Sequence, residues 1–200
     1  MIPELMRKGL SGALSLLARE HAAPASDLPP EKLSLRDLLA EDFATHDGLL
    51  MEPGFWAVAV HRLGERAAGA GLARGPLVMA NRLLATAVDW TWGIYLPASV
   101  HLGRRVRIWH HGSIVINARS VGNDVHLRQN TTIGPVYTRD ANRPECLPVL
   151  GDRVDIGAGA CVLGGVSVGI GAIVGANSVV VDDVPSGATA FGVPARILPA

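Results

Sequence analysis

The chain has 200 residues, with 18 basic and 18 acidic side chains, so its formal net charge at pH 7 is zero. This balance argues against a nucleic-acid-binding protein and against a polybasic protein of the membrane surface, since both carry an excess of Lys and Arg. Hydrophobic residues make up 48% of the chain and charged residues 18%, which excludes a disordered protein. Glycine is frequent and aromatic residues are only 4%, so we expect short strands joined by many turns.

Neither a secretory signal nor a membrane span is predicted. The N-terminal segment lacks a cleavage site after a proper apolar run, and the most apolar later stretch, residues 76–100, is interrupted by polar residues. The two cysteines, Cys146 and Cys161, form neither a disulfide framework nor a metal-ligand motif. We therefore expect a soluble cytoplasmic protein without a metal ion.

The first 92 residues have the apolar spacing of helices. A variant capping box from Ser34 to Asp37 predicts that a helix begins just after Ser34. Residues 51–70 continue with helical spacing after Pro53, a residue favoured in the first turn of a helix. A third helix is predicted between Gly75 and Gly93.

From residue 93 onward, aliphatic residues recur every six positions. Side chains of a straight strand alternate with a period of two, so a period of six indicates short strands separated by tight corners, three sides to a coil. The pattern predicts a solenoid of about four coils, with a loop inserted at 134–149. The repeat positions, with a shift of one position before Val121, are Leu96, Leu102, Ile108, Ile114, Val121, Leu127, Ile133, Leu150, Ile156, Val162, Val168, Val174 and Val180.

This repeat resembles that of the hexapeptide-repeat acyltransferases, and three segments are similar to the serine O-acetyltransferase family among them. Residues 52–63 are similar to its PGF…HR segment, residues 108–116 to its catalytic DHxxGIVI strand, and residues 192–196 to its closing GVPAR turn. The resemblance implies an α+β protein with a helical N-terminal domain at 1–92 and a left-handed parallel β-helix at 93–200. It also implies homotrimers, or dimers of trimers, with sites between neighbouring β-helices.

The same resemblance implies a CoA-dependent O-acetyltransferase that uses acetyl-CoA as co-substrate. A neutral imidazole within hydrogen-bond reach can remove the proton of an attacking hydroxyl. The family's catalytic histidine falls on His110, whereas His111 would take this role after a shift of one residue. A β-helix without catalytic activity, serving as a binding module, is the alternative from another functional class.

Three positions depart from the serine O-acetyltransferase pattern. Trp109 stands where the family has an Asp before the histidine, Tyr95 replaces the Asp of its DIHP segment, and Leu147 replaces the His of its RHPxI segment. Loss of these polar groups predicts an acceptor that is larger or less charged than L-serine, such as a sugar, polysaccharide or specialised-metabolite hydroxyl. In the inserted loop, Arg143 or Arg139 is a candidate for binding an anionic group of the acceptor or a phosphate of CoA.

The resemblance places the pantetheine arm of CoA along the later coils. Ala158 and Ala176 match contact positions there, and small side chains permit close approach, although ordinary repeat packing explains them nearly as well. Arg196 matches an Arg of the closing turn that faces the nucleotide phosphates. Asn117, Gln129 and Asn130 are further polar candidates for the wall of the cleft.

Overall fold

The computed structural model describes residues 29–71, 74–136 and 143–198. A short 3-10 helix at Pro30–Lys32 precedes three α-helices, α1 (Leu35–Thr45), α2 (Pro53–Ala68) and α3 (Arg74–Trp92). The Ser34 hydroxyl accepts a hydrogen bond from the Asp37 amide, which confirms the predicted cap of α1. Pro53 occupies the first turn of α2, as its fixed φ favours.

Short strands in three sheets follow α3. Consecutive strands enter different sheets, except for the last two, and neighbours within a sheet pair in parallel. The last two strands lie in one sheet and pair antiparallel. The chain thus winds into a three-sided parallel β-helix. Sheet 1 contains β1 (Ile94–Tyr95), β4 (Ile114–Ile116), β7 (Thr132–Gly134), β10 (Cys161–Leu163) and β13 (Val179–Val180); sheet 2 contains β2 (His101–Leu102), β5 (Ser120–Val121), β8 (Val149–Leu150) and β11 (Ser167–Val168); sheet 3 contains β3 (Arg107–Ile108), β6 (His126–Leu127), β9 (Asp155–Ile156), β12 (Ile173–Val174), β14 (Thr189–Phe191) and β15 (Arg196–Leu198).

Aliphatic side chains from successive coils stack inside the β-helix and form its core. Each stack is buried, and its members are paired in register between neighbouring strands, apart from Leu96, which directly follows β1. The six-residue repeat is therefore the side length of this solenoid. The stacks are Leu96, Ile116, Ile133, Val162 and Val180 in sheet 1; Leu102, Val121, Leu150 and Val168 in sheet 2; and Ile108, Leu127, Ile156, Val174 and Ala190 in sheet 3.

Two details of the predicted repeat are wrong. Ile116, and not Ile114, lies in register with Ile133, so the turn after Ile108 contains two residues more than a six-residue side. Ile114 is also buried, but it is paired with Ile94. In addition, the β-helix has five coils rather than about four, since sheet 1 has five strands. The last coil ends on the small residue Ala190, which a repeat of large aliphatic residues does not mark.

The helical region covers the open edge of the first coil, whose strands β1, β2 and β3 have a parallel neighbour on one side only. Three side chains bind the backbone there. His61 Nδ1 lies 3.1 Å from the Pro97 carbonyl, Arg62 donates to the carbonyls of Leu102 at 2.8 Å and Gly103 at 2.5 Å, and the Ile108 amide donates to His46 Nε2 at 3.3 Å. An unpaired sheet edge invites pairing with other strands, so this contact protects it.

Candidate active site

The turn between β3 and β4 carries both candidate histidines. Backbone hydrogen bonds fix its ends, since the Trp109 amide donates to the Leu127 carbonyl at 2.8 Å and the Asn130 amide donates to the Gly112 carbonyl at 3.0 Å. Between them, His110 has a φ of 62°, a left-handed conformation that is uncommon for a residue with a side chain. The imidazoles of His110 and the next residue are exposed, and neither has a hydrogen-bond or ion-pair partner within residues 29–71, 74–136 and 143–198. Seven other described non-glycine residues share a positive φ, and most of them stand at coil corners, so this conformation of His110 marks a tight turn.

Tyr95 lies beside this turn, on the outer face of β1. The amide of Gly112 donates to the Trp92 carbonyl and that of Ile114 to the Gly93 carbonyl, both at 2.8 Å, so the segment leading into β1 is bonded directly to the histidine turn. Tyr95 also lines a cavity of about 650 Å³ between α2, α3 and β1. The structure therefore brings Tyr95 and His110 to the same end of the β-helix.

The side chain of Trp109 is held by its neighbours on the outer face of sheet 3. The Arg107 guanidinium lies 3.8 Å from the centre of the Trp109 ring, and the His126 ring meets that ring edge-on at 5.8 Å. Arg107 is itself anchored to the helical region through the Thr45 carbonyl at 2.6 Å and the Asp47 carboxylate. Trp109 thus offers no carboxylate beside His110, and its buried Nε1 has no acceptor among the described residues.

Below the histidine turn, a row of residues that we name the corner lane runs along the corner between sheets 3 and 1. Its members are Gln129, Ala158 and Ala176, because the Gly159 amide donates to the Gln129 carbonyl at 3.0 Å and the Asn177 amide donates to the Ala158 carbonyl at 2.9 Å. The Asn130 amide continues this ladder to the Gly112 carbonyl, so Gly112 stands above Gln129, and His110 and His111 lie where this turn is two residues longer. Ala158 is half-buried and Ala176 is exposed, so small side chains follow Gln129 along this corner. The sequence identified Gln129 as one of three polar candidates, and the backbone hydrogen bonds assign it to the coil below the histidine turn.

The predicted arginines lie elsewhere on the molecule. Arg196 on β15 pairs with Phe191 on β14, in the last coil, and lies beside the far end of the corner lane. Arg143 precedes a 3-10 helix at Pro144–Cys146, and this segment packs against Gly165 in the turn from sheet 1 to sheet 2. Within one chain, Arg143 therefore occupies a different corner from His110. Residues 137–142 of the inserted loop lie outside the described residues.

His46 links the helical region to the strand that precedes His110. Its Nδ1 lies 2.8 Å from the Asp42 carbonyl, and its Nε2 accepts the Ile108 amide, so the two contacts require a neutral ring protonated at Nδ1. Burial lowers the pKa of His46 from its ordinary value of 6.5, and the charge of Arg107 lowers it further. Sequence reasoning did not identify His46, because no local motif marks a residue whose partner is 62 positions away.

Two kinds of feature are absent from residues 29–71, 74–136 and 143–198. No described helix has both the length and the apolar character needed to cross a membrane. Nor do the described residues include a group of three or more His, Cys, Asp or Glu side chains that could hold a metal ion.

Known proteins with similar sequences place the chain in a family. No protein-family model matches it. The serine acetyltransferase of Helicobacter pylori strain J99 is 33% identical over 169 residues, which cover 82% of this chain and 94% of that protein. The chain belongs to the serine acetyltransferase family. Longer serine acetyltransferases of the same identity are also found, and the chain spans 61% of their length.

Two solved serine acetyltransferases share the fold. The soybean enzyme complexed with serine has a TM-score of 0.71 and 30% identity, with 82% of this chain and 70% of that chain covered. A serine acetyltransferase in complex with CoA has a TM-score of 0.67 and 26% identity, with 84% and 71% covered. These likenesses confirm the predicted α+β fold with a left-handed β-helix.

Proposed function

We propose that the chain is a CoA-dependent O-acetyltransferase in which acetyl-CoA lies along the corner lane and His110 is the general base. The observation that carries this proposal is the exposed imidazole of His110 in the turn above the corner lane, whose lower members are the small residues Ala158 and Ala176. A structural neighbour that binds CoA supports it. Arg196, at the far end of the lane, is the proposed partner of the nucleotide phosphates.

The proposed reaction is a direct transfer. His110 accepts the proton of the acceptor hydroxyl while the hydroxyl oxygen attacks the thioester carbonyl carbon. The new C–O bond forms, the C–S bond breaks, and the proton passes from His110 to the sulfur of CoA, so that the products are an acetyl ester and free CoA. A backbone amide of the turn would stabilise the negative charge on the carbonyl oxygen.

The proposed acceptor is a hydroxyl compound that is larger or less charged than L-serine, such as a sugar, a polysaccharide or a specialised metabolite. An amino-acid acceptor needs an anionic partner for its ammonium group. At the three positions that depart from the family pattern the chain has Tyr95, Leu147 and Trp109. The ring of Trp109 is already packed against Arg107. Serine itself is the second candidate, favoured by membership of the family and by the soybean relative that binds it.

The proposed assembly is a homotrimer, or a dimer of trimers, in the cytoplasm, with a helical domain at 1–92 and a β-helix domain at 93–200. The outer face of sheet 1 supports the proposed trimer, because this face carries apolar or weakly polar residues. It lies between the corner that holds His110 and the corner near Arg143. A neighbouring subunit packed there would bring its own Arg143 toward the corner lane and complete the acceptor site. The outward residues of sheet 1 are Tyr95, Val115, Thr132, Cys161 and Val179.

Release of free CoA from acetyl-CoA tests the function. L-serine and a panel of sugar and metabolite hydroxyls serve as acceptors, with His110→Ala and the matched variant His111→Ala measured beside the wild type. We expect turnover to be faster on a neutral acceptor than on serine, and His110→Ala to lower kcat about 10²- to 10⁴-fold while His111→Ala retains activity. If His111→Ala lowers kcat and His110→Ala retains activity, the general base is His111. Faster turnover on serine would reject the proposed acceptor, and absence of both turnover and CoA binding would favour a binding module.

A further inference from the structure

The cavity between α2, α3 and β1 has no part in the proposed reaction beyond Tyr95 at its edge. Its volume of about 650 Å³ lies within the range of sites that hold small molecules, roughly 300–1,000 Å³. The floor is apolar and made of small side chains, since Ala57 and Val60 of α2 and Val88 of α3 line it and each is at most 8% exposed. This floor offers a dry surface to the hydrocarbon part of a ligand.

Three charged side chains of α3 line the same cavity, namely Arg74, Arg82 and Asp89. Within residues 29–71, 74–136 and 143–198, none of the three side chains has an ion-pair or hydrogen-bond partner. Arg62 and Arg107, in contrast, each pair with an aspartate. Unpaired charges are ordinary on an open surface, but here they border a concave apolar floor, where a ligand can meet the charges and the floor together.

The charges of the cavity are ordered along α3. Arg74 is the first residue of the helix, and Asp89 lies in its last turn. Arg82 and Asp89 are seven residues apart, nearly two turns, so they share one side of the helix and lie about 10 Å apart along its axis. The helix dipole has the same order, because its N-terminal end is positive and its C-terminal end is negative. The cavity therefore has a positive end and a negative end.

The uncharged polar groups of the cavity are weaker candidates for setting the chemistry of a ligand. The half-buried Asn81 amide donates to a carbonyl of α2 at 2.7 Å, and the Thr86 hydroxyl donates to a carbonyl of its own helix at 2.9 Å. The hydroxyls of Tyr95 and Ser99 complete the polar lining. Hydrogen bonds to charged groups are the stronger ones, so the two charged ends decide which class of ligand is favoured.

We propose that this cavity binds a small zwitterion whose anionic group lies on the Arg82 guanidinium and whose cationic group lies on the Asp89 carboxylate. A hydrocarbon segment between the two groups packs on the apolar floor, and Arg74 adds to the positive end. An ω-amino acid has this chemistry. An α-amino acid carries both charges on one carbon atom and cannot span the two ends.

The proposed zwitterion site is separate from the proposed active site. Pro97, Ala98 and Ser99 line the cavity where the chain turns from sheet 1 to sheet 2, whereas His110 stands at the corner between sheets 3 and 1. The zwitterion site therefore does not depend on the acetyltransferase function, and each can fail without the other.

Titration calorimetry with three matched probes tests the site. The probes are ε-aminocaproate, hexanoate and hexylamine, which have the same number of carbon atoms and differ in their terminal charges. We expect ε-aminocaproate to bind about 10- to 100-fold more tightly than either analogue, because it alone makes a charged hydrogen bond at both ends. Glycine should bind no more tightly than the analogues with a single charge.

Charge-neutralising variants assign each end of the probe. Arg82→Gln should lower the affinity for ε-aminocaproate to that for hexylamine, and Asp89→Asn should lower it to that for hexanoate. Arg82→Lys keeps the charge and should retain most of the affinity. Arg66→Gln is the matched control, because it removes the same charge from α2 outside the cavity and should bind as the wild type does.

Three outcomes would overturn the proposed site. The first is that ε-aminocaproate binds no more tightly than both analogues, which includes the absence of any binding. The second is that Arg82→Gln weakens binding no more than Arg66→Gln does. The third is that His110→Ala weakens binding as much as Arg82→Gln does, because the probe would then occupy the proposed acceptor site.

Discussion

The interior of the β-helix and its contact with the helical region are built from opposite kinds of side chain. The stacks inside the coils are aliphatic, whereas the contact buries Asp42, His46 and Arg62, each at most 1% exposed. Aliphatic burial has no directional requirement, and each coil contributes a similar amount. Buried charged and polar groups need specific partners, so the edge of the first coil depends on a few individual hydrogen bonds.

This difference matters for the site, because the polar contact ends on the strand that leads into His110. His46 binds the amide of Ile108, and Asp47 and Thr45 hold Arg107 on the same strand. Within residues 29–71, 74–136 and 143–198, the lower coils, which carry Ala158 and Ala176, make no such hydrogen bond to the helices. Substitutions in the polar contact should therefore affect both stability and catalysis, whereas the aliphatic stacks should affect stability alone.

Removal of Arg62 should have the largest effect. Its guanidinium is fully buried, bonded to Asp42 at 3.1 Å and to two carbonyls of the first coil. Arg62→Met leaves the Asp42 carboxylate buried without its cation, so we expect the free energy of unfolding to fall by about 3–5 kcal/mol. Urea denaturation measures the change. Arg66→Met is the control, because Arg66 makes an exposed bond to the Leu33 carbonyl and should cost about 0.5 kcal/mol or less. Similar losses in both variants would contradict the polar contact as the sensitive region.

A methyl group at Gly54 should have the next largest effect. A Cβ at this position would collide with the Ile108 carbonyl and lie 2.9 Å from His46 Nε2. Gly54→Ala should cost about 1–3 kcal/mol through overpacking, and should also lower kcat because it displaces the strand before His110. Gly75→Ala at the start of α3 is the matched control, since open space surrounds that position and alanine favours a helix. If Gly54→Ala folds and keeps the kcat of the wild type, the polar contact does not position the strand before His110.

The same contrast explains what the sequence predicts and what it does not. The six-residue period is local and recurs along the chain, so the β-helix and most of its core follow from it. Ile114 was assigned wrongly because it stands six positions after Ile108, and a turn lengthened by two residues still ends on an aliphatic residue, Ile116. The bonds of His46 and Arg62 join residues 62 and 41 positions apart, and no period marks them. His110 follows from a motif, but the place of Gln129 in the coil below the histidine turn follows only from the backbone hydrogen bonds.

The pH dependence of stability should show the smallest effect, and it tests His46 alone. Burial lowers the pKa of His46 in the folded protein below its ordinary value of 6.5. The unfolded chain therefore binds a proton that the folded protein does not, so this contribution to stability is complete above pH 6.5 and is lost as the pH falls through the lowered pKa. The groups that face His46 are Asp42, Glu52 and Arg107, and the first two oppose the shift. We expect the Tm of the wild type to fall between pH 7.5 and pH 5.5.

Comparison of the wild type with His46→Gln isolates this contribution. Glutamine keeps one donor and one acceptor but does not titrate, so the variant should lose less Tm over the same pH range, although its Tm at pH 7.5 is lower. His101→Gln is the control, because His101 is exposed beside Glu31 and its loss should leave the slope unchanged. If His46→Gln keeps the slope of the wild type, the Ile108 amide does not hold a neutral ring. In that case Arg62 and apolar packing stabilise the first coil, and a lower pH does not displace the strand before His110.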